Sequence, residues 1–318
     1  MTQYVLRRLV FMVPVAILVT IIVFTLLHLT PGDPVRIIAG EEPDPTTLEA
    51  VRHELGLDLP LPLQYVSWMS RAVTGDFGRS IRTHQPVLEA IGERVPATLE
   101  LGLTAVALSV IVALVVGTLS AVRRNSALDL MATGITLAGV SLPNFFLGLI
   151  LILVFGLVLG IAHPGGYVKF SDDPLDNLGR LVLPAITLAT ASIAVNMRQI
   201  RSSLLDVFGQ DYMRTARAKG LSEGHVIARH ALKNGLIPAV TIIGLQIGAV
   251  IEGAFITETV FLWPGVGKLA VDSINGRDYP VVQAIVLLSA LSFMASTLVV
   301  DILYAWLDPR ISYRSTSA

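Results

Sequence analysis

The feature that most constrains this chain is a series of uninterrupted apolar runs, most of them about as long as a membrane is thick. The runs are Leu9–Leu29, Leu101–Val122, Leu130–Ile161, Leu181–Met197, Leu236–Ile256 and Val281–Leu307. A helix of about 20 apolar residues crosses a hydrocarbon core of about 30 Å. Strands of a membrane barrel alternate apolar and polar residues, which these runs do not, so their backbones are expected to form helices. The sequence therefore predicts an all-α polytopic membrane protein with six transmembrane helices.

The composition agrees with extensive contact with lipid. Hydrophobic residues make up 53% of the chain, charged residues only 15%, and the mean hydropathy is +0.70, whereas soluble domains carry about 25% charged residues. The net charge of −1 gives no reason to expect nucleic acid as a partner. Since the chain contains no cysteine, disulfides, thiolate metal sites and cysteine nucleophiles are excluded within it.

Two of the apolar runs allow an alternative interpretation. Leu130–Ile161 is too long for one perpendicular span, and Pro143 is expected to divide or kink it. If the two pieces were separate spans, the count would rise to seven.

Leu9–Leu29 follows two arginines, as a signal peptide would, but a signal peptide has an apolar core of only about 7–15 residues and a small-residue cleavage site. The length of this run and its Leu-His-Leu-Thr-Pro ending favour a membrane helix.

The placement of Lys and Arg predicts that both termini are cytoplasmic. With six spans and the N-terminus inside, most basic residues fall in cytoplasmic segments, above all in 198–235. That segment contains Arg198, Arg201, Arg214, Arg217, Lys219, Arg229 and Lys233, whereas the two short external loops contain Lys169, Arg180, Lys268 and Arg277. The predicted organisation is an N-terminal transmembrane helix (1–30), an extracytoplasmic segment (31–97), a transmembrane core (98–308) with the loop 198–235, and a cytoplasmic tail (309–318).

The extracytoplasmic segment is too patterned for a flexible linker. Helical stretches are expected over Thr46–Leu55 and Gln64–Val73, and Gly75-Asp76-Phe77-Gly78 is typical of a turn. Two functions are open for this segment. It could be a cap that covers helix ends, or a docking surface for a soluble partner.

The loop 198–235 combines basic and small residues in an unusual way. Asp211 to Ser222 is compatible with a helix that Gly220 ends, and a second helical stretch is expected over Gly224–Lys233. Basic loops on the cytoplasmic side are common to membrane proteins. Here Ala216, Ala218 and Gly220 lie among the basic residues, and such small side chains allow the backbone to approach another surface closely.

This loop resembles the cytoplasmic loop of one family of ABC importer permeases, the dipeptide, oligopeptide and nickel permeases. The general Glu-Ala-Ala loop motif of ABC importer permeases is matched only at Ala216, Gly220 and Leu232. The variant typical of this family, Asp-Tyr-Val-Arg-Thr-Ala-Arg-Ala-Lys-Gly-Leu, matches Asp211–Leu221 with a single difference at Met213. Further matching stretches are Leu6–Leu9, His28–Pro34, Leu55–Leu57, Gly75–Gly78, Arg94–Thr98, Ser141–Pro143, Glu258–Phe261, Trp263–Gly265 and Leu307–Arg310.

The resemblance implies a type I ABC importer in a bacterial inner membrane. In such an importer a homologous second permease pairs with this chain, two cytoplasmic ATPase subunits bind ATP and Mg, and an extracytoplasmic binding protein delivers the solute. The family's ATPase-coupling helix falls on about Arg214–Gly224. Its implied coupling residues are Arg214, Thr215, Ala216, Arg217, Ala218, Lys219, Gly220 and Leu221. The solutes of the family include dipeptides, longer peptides, glutathione and nickel complexes.

The sequence contains no recognisable catalytic, nucleotide or metal motif. A P-loop requires Gly-x-x-x-x-Gly-Lys-Ser/Thr, but Gly267-Lys268 is followed by Leu269, and no His-Glu-x-x-His occurs. We therefore expect neither catalytic residues nor a cofactor in this chain. A secondary transporter driven by an ion gradient is the alternative function, and a membrane-embedded enzyme is a second rival. The first would need its own coupling site and internal repeats, the second a convergent catalytic cluster, and neither is recognisable.

Polar residues within the apolar runs are candidates for the translocation pathway, because polar groups at membrane depth are costly. These candidates are Asn196, Gln246 and Glu252. Gln246 and Glu252 need not share a helix face, since six residues correspond to about 600° of rotation. For Glu252, a structural hydrogen bond between helices is the alternative to a pathway role.

Overall fold

The computed structural model describes residues 2–29, 58–248 and 254–307, together with the single residues Glu49 and His53. Within these ranges the chain is helical and contains no β-strand, as the apolar runs predict. The predicted helix Thr46–Leu55, the tail 309–318 and Glu252 lie outside the described residues, apart from Glu49 and His53.

The helices are numbered in chain order. They are α1 Thr2–Leu29, α2 Leu61–Val73, α3 Val87–Gly92, α4 Val95–Val122, α5 Ala127–Ser141, α6 Asn144–Leu151, α7 Pro174–Phe208, α8 Asp211–Ala218, α9 Glu223–His225, α10 Leu232–Gly235, α11 Ile237–Gly248, α12 Phe255–Val260, α13 Val266–Asn275 and α14 Tyr279–Leu307. The π-helical segments Ile152–Val158 and Val226–Ala231 continue α6 and α9, respectively.

The centre of the fold is the contact between α4 and α7, which run parallel to each other. Ala97 and Leu101 at the start of α4 pack with Leu181 and Ala185 of α7. Near the other end of α4, a Cβ added to Gly117 would lie 3.1 Å from a carbonyl oxygen and 3.2 Å from a side chain of α7. Small buried residues recur along α4 at helical spacing, namely Gly102, Ala105, Ser109, Ala113, Gly117, Ser120 and Ala121. They allow the close approach of two backbones that membrane helices need.

Pro143 divides the third apolar run, as its position predicts. Helix α5 ends at Ser141, α6 begins at Asn144, and the two pieces are bent by 106°. A helix of 15 residues is about 22 Å long, so neither piece alone crosses a core of about 30 Å. The run is therefore one broken span or a re-entrant loop, and the two pieces add no seventh span.

Three helices among the described residues are long and apolar enough to cross a membrane: Val87–Val122, Pro174–Phe208 and Tyr279–Val300. The count rises to five if each bent pair, α5 with α6 and 223–235 with α11, is one span. Helix α1 contains a shorter apolar stretch, Val10–Thr25. Counting α1 as well is compatible with the six predicted spans.

The fourth span is longer than its apolar run. Helix α7 begins at Pro174, where the Asp173 side chain accepts hydrogen bonds from the N–H groups of residues 175 and 176, and it continues to Phe208. At 1.5 Å per residue its 35 residues are about 52 Å long, so part of it projects beyond the membrane. Its C-terminal part takes up the first eleven residues of the segment 198–235, which begins as helix and not as loop.

Candidate functional site

Helix α8 packs against the rest of the chain through two buried side chains. Met213 is fully buried and Ala216 is nearly so. They share a cluster with Ile200 and Leu204 of α7 and with Ala132 of α5. The spacing of three residues puts both side chains on one face of α8, and this face packs against the rest of the chain, including the segment Val226–Ala231.

The opposite face of α8 is exposed and basic. The side chains of Arg214, Thr215, Arg217, Ala218 and Lys219 lie on the surface. The Nε atom of Arg217 lies 2.7 Å from Glu223 Oε1, and Arg214 lies 3.7 Å from Asp211. These charges are therefore partly satisfied within the loop, and exposed ion pairs of this kind contribute only about 0–1 kcal/mol each.

Ala216 does not belong to the surface that a partner could reach. The sequence pattern grouped Ala216 with Ala218 and Gly220 as small residues for close approach, but Ala216 packs inside its own chain, whereas Ala218 and Gly220 are exposed. The physical reason is helix periodicity, because residue 216 lies one turn after the buried Met213. Leu221, which follows the turn, is 37% exposed.

Gly220 ends the loop helix, as predicted. Its φ is +77°, and its N–H donates to the Arg217 carbonyl at 2.9 Å. A Cβ at this position would meet no atom of this chain within 4 Å. Within this chain, glycine is therefore favoured at residue 220 for its backbone conformation and not for lack of space, because the left-handed region costs other L-residues about 1–2 kcal/mol. The second helical stretch follows as 223–235, close to the predicted Gly224–Lys233.

Asn196 and Gln246 form a reciprocal amide pair. Asn196 Nδ2 donates to Gln246 Oε1 at 3.0 Å, and Gln246 Nε2 donates to Asn196 Oδ1 at 3.1 Å. Asn196 is fully buried, with the Ser109 hydroxyl 3.4 Å from its Nδ2. The pair joins α7 to α11. The structure thus brings together two of the three predicted pathway residues, and each satisfies the other.

Asp129 forms a buried ion pair that the sequence analysis missed. Arg201 donates through Nε and Nη2 to the two carboxylate oxygens at 2.6 and 2.8 Å. The Asn125 N–H donates to Asp129 Oδ2 at 2.9 Å, and the Asp129 side chain is 3% exposed. The pair ties the start of α5 to α7. An acidic residue three positions after a serine such as Ser126 is typical of the first turn of any helix. The sequence therefore gave no sign that Asp129 is buried in an ion pair.

A second missed group surrounds Glu258, which is fully buried although it belongs to a short helix outside the candidate spans. The Thr98 hydroxyl donates to Glu258 Oε1 at 2.7 Å, and the Lys268 N–H donates to Oε2 at 2.9 Å. Thr98 Oγ1 in turn accepts from the Val266 N–H at 2.8 Å. Since α13 begins at Val266 after Gly265, which has no capping side chain, Glu258 and Thr98 together cap α13 from a distance.

Two glycines make room for the Glu258 carboxylate. A Cβ on Gly265 would lie 2.1 Å from Glu258 Oε1, and a Cβ on Gly267 would lie 2.9 Å from Oε2 and 2.6 Å from the Cα of Phe255. Nearby, the Trp263 ring N–H donates to the Ala97 carbonyl at 2.8 Å. We call Thr98, Glu258, Gly265 and Gly267 the carboxylate cradle. The carboxylate cradle joins the start of α4 to α12 and α13. The sequence signal for it was the resemblance alone, which includes Glu258–Phe261 and Trp263–Gly265.

Burial raises the pKa of two ionisable groups in and near the carboxylate cradle. It raises the pKa of the Glu258 carboxyl, against the opposing effect of the hydrogen bonds from Thr98, Lys268 and Gly267. It also raises the pKa of Tyr167 to about 12, with a further contribution from the nearby Glu100 carboxylate. The Tyr167 hydroxyl donates to Glu100 Oε2 at 3.1 Å, so it remains neutral and serves as a donor.

Among the described residues, no group of three or more His, Asp or Glu side chains is arranged to hold a metal ion.

Two family models match the chain. The model described as "Binding-protein-dependent transport system inner membrane component" matches residues 113–313. The model described as "Binding-prot-dependent transport system membrane comp, N-term" matches residues 1–102. Together they cover the loop 198–235, the carboxylate cradle and the amide pair.

The chain is also similar to curated proteins over its whole length. It is 44% identical over 314 residues to the glutathione transport system permease protein GsiC of Escherichia coli strain K12, covering 99% of this chain and 100% of the relative. The values are the same for the protein of that name from Shigella flexneri serotype 5b. Among solved structures, an amino acid ABC transporter with histidines covers 70% of this chain and 95% of its own, at 17% identity and a TM-score of 0.48.

Proposed function

The chain belongs to the family of binding-protein-dependent transport system inner membrane components and is a permease subunit of an ABC importer; we propose that it forms half of the translocation pathway for small peptides. The 44% identity to glutathione permeases supports a peptide-like solute, because glutathione is itself a tripeptide. In this proposal a homologous second permease completes the pathway, two ATPase subunits bind ATP and Mg, and an extracytoplasmic binding protein delivers the peptide. The termini lie in the cytoplasm.

We further propose that α8 and the turn after it, within 211–224, couple this chain to an ATPase subunit. The observation that carries this proposal is the division of α8 into two faces. Met213 and Ala216 bury one face in a cluster with residues of α5, α7 and the segment Val226–Ala231, while the other face is exposed. A force applied to the exposed face is therefore transmitted to the spans. Transport requires that the two states of the ATPase contact this face differently.

The chain itself supplies no nucleotide site in this proposal. Its sequence has no P-loop, since Leu269 follows Gly267-Lys268. The energy for transport therefore comes from the partner ATPases, and the purified subunit alone is expected to hydrolyse no ATP. A secondary transporter is disfavoured, since the matched family works with binding proteins.

Substitutions of Gly220 test the coupling proposal and separate backbone strain from bulk. Asn tolerates the left-handed region, whereas Val does not. Inside this chain both side chains have room. If an ATPase subunit packs against Gly220, Gly220→Asn and Gly220→Val should both reduce uptake and co-purification of the ATPases. The matched control is Gly92→Asn, because Gly92 lies outside the segment 211–224, is exposed, would have no atom within 4 Å of an added Cβ and has no left-handed φ.

The measurements are ATPase co-purification and peptide uptake at matched abundance in the membrane. Wild-type assembly and uptake in Gly220→Asn, with a loss only in Gly220→Val, would show that Gly220 serves its own turn and not a partner contact. That outcome would contradict the coupling assignment at this position.

A further inference from the structure

Helix α2, which the sequence assigns to the extracytoplasmic segment, is attached to the side of a transmembrane helix. The Tyr65 hydroxyl lies 2.8 Å from the Thr20 hydroxyl of α1. The ring of Phe24 on α1 lies 5.5 Å from the ring of Tyr65 and 6.3 Å from that of Trp68. Trp68 and Phe24 are both buried in this contact. The side of α1, and not its end, therefore receives α2.

The position of this contact along α1 corresponds to membrane depth. Thr20 follows Leu9, the first residue of the apolar run, by eleven residues, which is about 16 Å of helix, and Phe24 lies about 22 Å from Leu9. The hydrocarbon core is about 30 Å thick. The surface of α1 is apolar and exposed from Val10 to Ile22, so the exposed apolar band extends past Thr20. With the N-terminus in the cytoplasm, as proposed above, the contact with α2 lies in the outer half of the bilayer.

A second transmembrane helix gives the same depth independently. Trp68 and Ala72 also pack with Leu287 of α14. The candidate span of α14 begins at Tyr279, and Leu287 lies eight residues, or about 12 Å, below that end. Two spans thus hold the inner face of α2 below their outer ends.

The outer face of α2 is exposed, and it is apolar apart from Ser67, Ser70 and Arg71. Leu63, Val66 and Val73 are 54%, 60% and 79% exposed. Val66 and Val73 are seven residues apart and share one side of the helix, whereas Arg71 lies about 140° around from Val66. The helix has no acidic residue, and its 13 residues are about 20 Å long, too short to cross the bilayer. An apolar side with a basic edge is typical of a helix that lies in a membrane interface.

We propose that α2 is a membrane-interface helix in the outer leaflet, with Val66 and Val73 among the acyl chains and Arg71 directed to the phosphate headgroups. The occupant of its exposed face is lipid. Lipid is the occupant because Thr20 and Phe24 of α1 and Leu287 of α14 hold α2 at a level where both of these spans lie within the bilayer. Residues 61–73 are thereby excluded from a docking surface for the binding protein, which narrows that hypothesis to the rest of the extracytoplasmic segment.

Spin labelling tests the proposal in the assembled transporter. Because the chain has no cysteine, Val66→Cys and Val73→Cys each introduce a single site for a nitroxide label, provided that the partner subunits also lack cysteine. The complex is reconstituted in phosphatidylcholine–phosphatidylglycerol vesicles, and collisions with molecular oxygen and with a water-soluble nickel chelate are measured. Ile22→Cys, on the exposed apolar side of α1, is the lipid reference, and Thr83→Cys, exposed in the loop after α2, is the aqueous reference.

The expected result is an oxygen-to-nickel collision ratio at residues 66 and 73 close to that at residue 22 and well above that at residue 83. A ratio equal to that at residue 83 overturns the proposal, because the face would then be in water. Low collision rates with both reagents also overturn it, since a protein partner would then cover the face. Peptide uptake by each cysteine variant is measured before labelling, so that the collision rates refer to a working transporter.

Discussion

Replacing Gly265 by alanine is expected to damage the carboxylate cradle far more than a Gly-to-Ala change normally does. The new Cβ would lie 2.1 Å from Oε1 and 2.2 Å from Cδ of Glu258. Atoms that are not bonded need more than 3 Å, so the carboxylate has to move by about 1 Å. Glu258 is fully buried and receives hydrogen bonds of 2.7 and 2.9 Å from Thr98 and Lys268. A movement of that size breaks or weakens both.

The magnitude follows from those two hydrogen bonds. A hydrogen bond to a charged group contributes about 1.5–3 kcal/mol, so losing both is expected to cost about 3–6 kcal/mol. Typical stabilities are only about 5–15 kcal/mol, so the loss is a large fraction of the total. The matched control is Gly92→Ala, which lies at the end of α3, is exposed and has no atom within 4 Å of the added Cβ. It should leave the stability almost unchanged.

A double-mutant cycle separates the clash from other effects of alanine at residue 265. In a Glu258→Ala background the carboxylate is gone, so Gly265→Ala should cause little additional loss. Thermal unfolding of the purified complex, followed by peptide uptake, gives the four values of the cycle. If the two substitutions are additive, or if Gly265→Ala alone unfolds with the same Tm as Gly92→Ala, the steric argument is refuted.

Two further predictions concern the polar pairs between helices. Arg201→Gln leaves the buried Asp129 carboxylate without its partner and should lower stability by about 3–5 kcal/mol in thermal unfolding of the complex. The control is Arg198→Gln, an exposed position on the same helix, and equal Tm values for the two variants would contradict a stabilising role for the ion pair. For the amide pair, Asn196→Leu should lower stability by about 1–3 kcal/mol because it orphans the Gln246 amide. The exchange Asn196→Gln with Gln246→Asn should restore stability and keep the KM for uptake, whereas a changed KM would indicate that the pair contacts the peptide.

Local sequence patterns predicted much of the fold. Six apolar runs predicted helices because a backbone in lipid has to satisfy its own hydrogen bonds, and the described residues are helical accordingly. Pro143 predicted a break because proline lacks an N–H and clashes with the preceding turn. Gly220 predicted the end of the loop helix, since glycine adopts its φ of +77° at little cost.

The local patterns also misled where a helix face had to be chosen. Ala216 belongs to the same small-residue motif as Ala218, yet the rotation of α8 around Met213 buries one and exposes the other. Similarly, the apolarity of 181–197 did not show that α7 continues to Phe208, because helix beyond the membrane needs no apolar surface.

The chain by itself thus determined the class of fold, the break at residue 143 and the turn at residue 220, because each depends on interactions within a few residues. Only the tertiary structure decided that Glu258 caps a helix begun by Val266, that Asp129 pairs with Arg201 across 72 positions, and that Asn196 and Gln246 satisfy each other. A charged or amide side chain has the same local signature whether it is solvated or buried with a partner. What distinguishes the two cases is the distant segment that supplies the donor, and that is known only once the helices have packed.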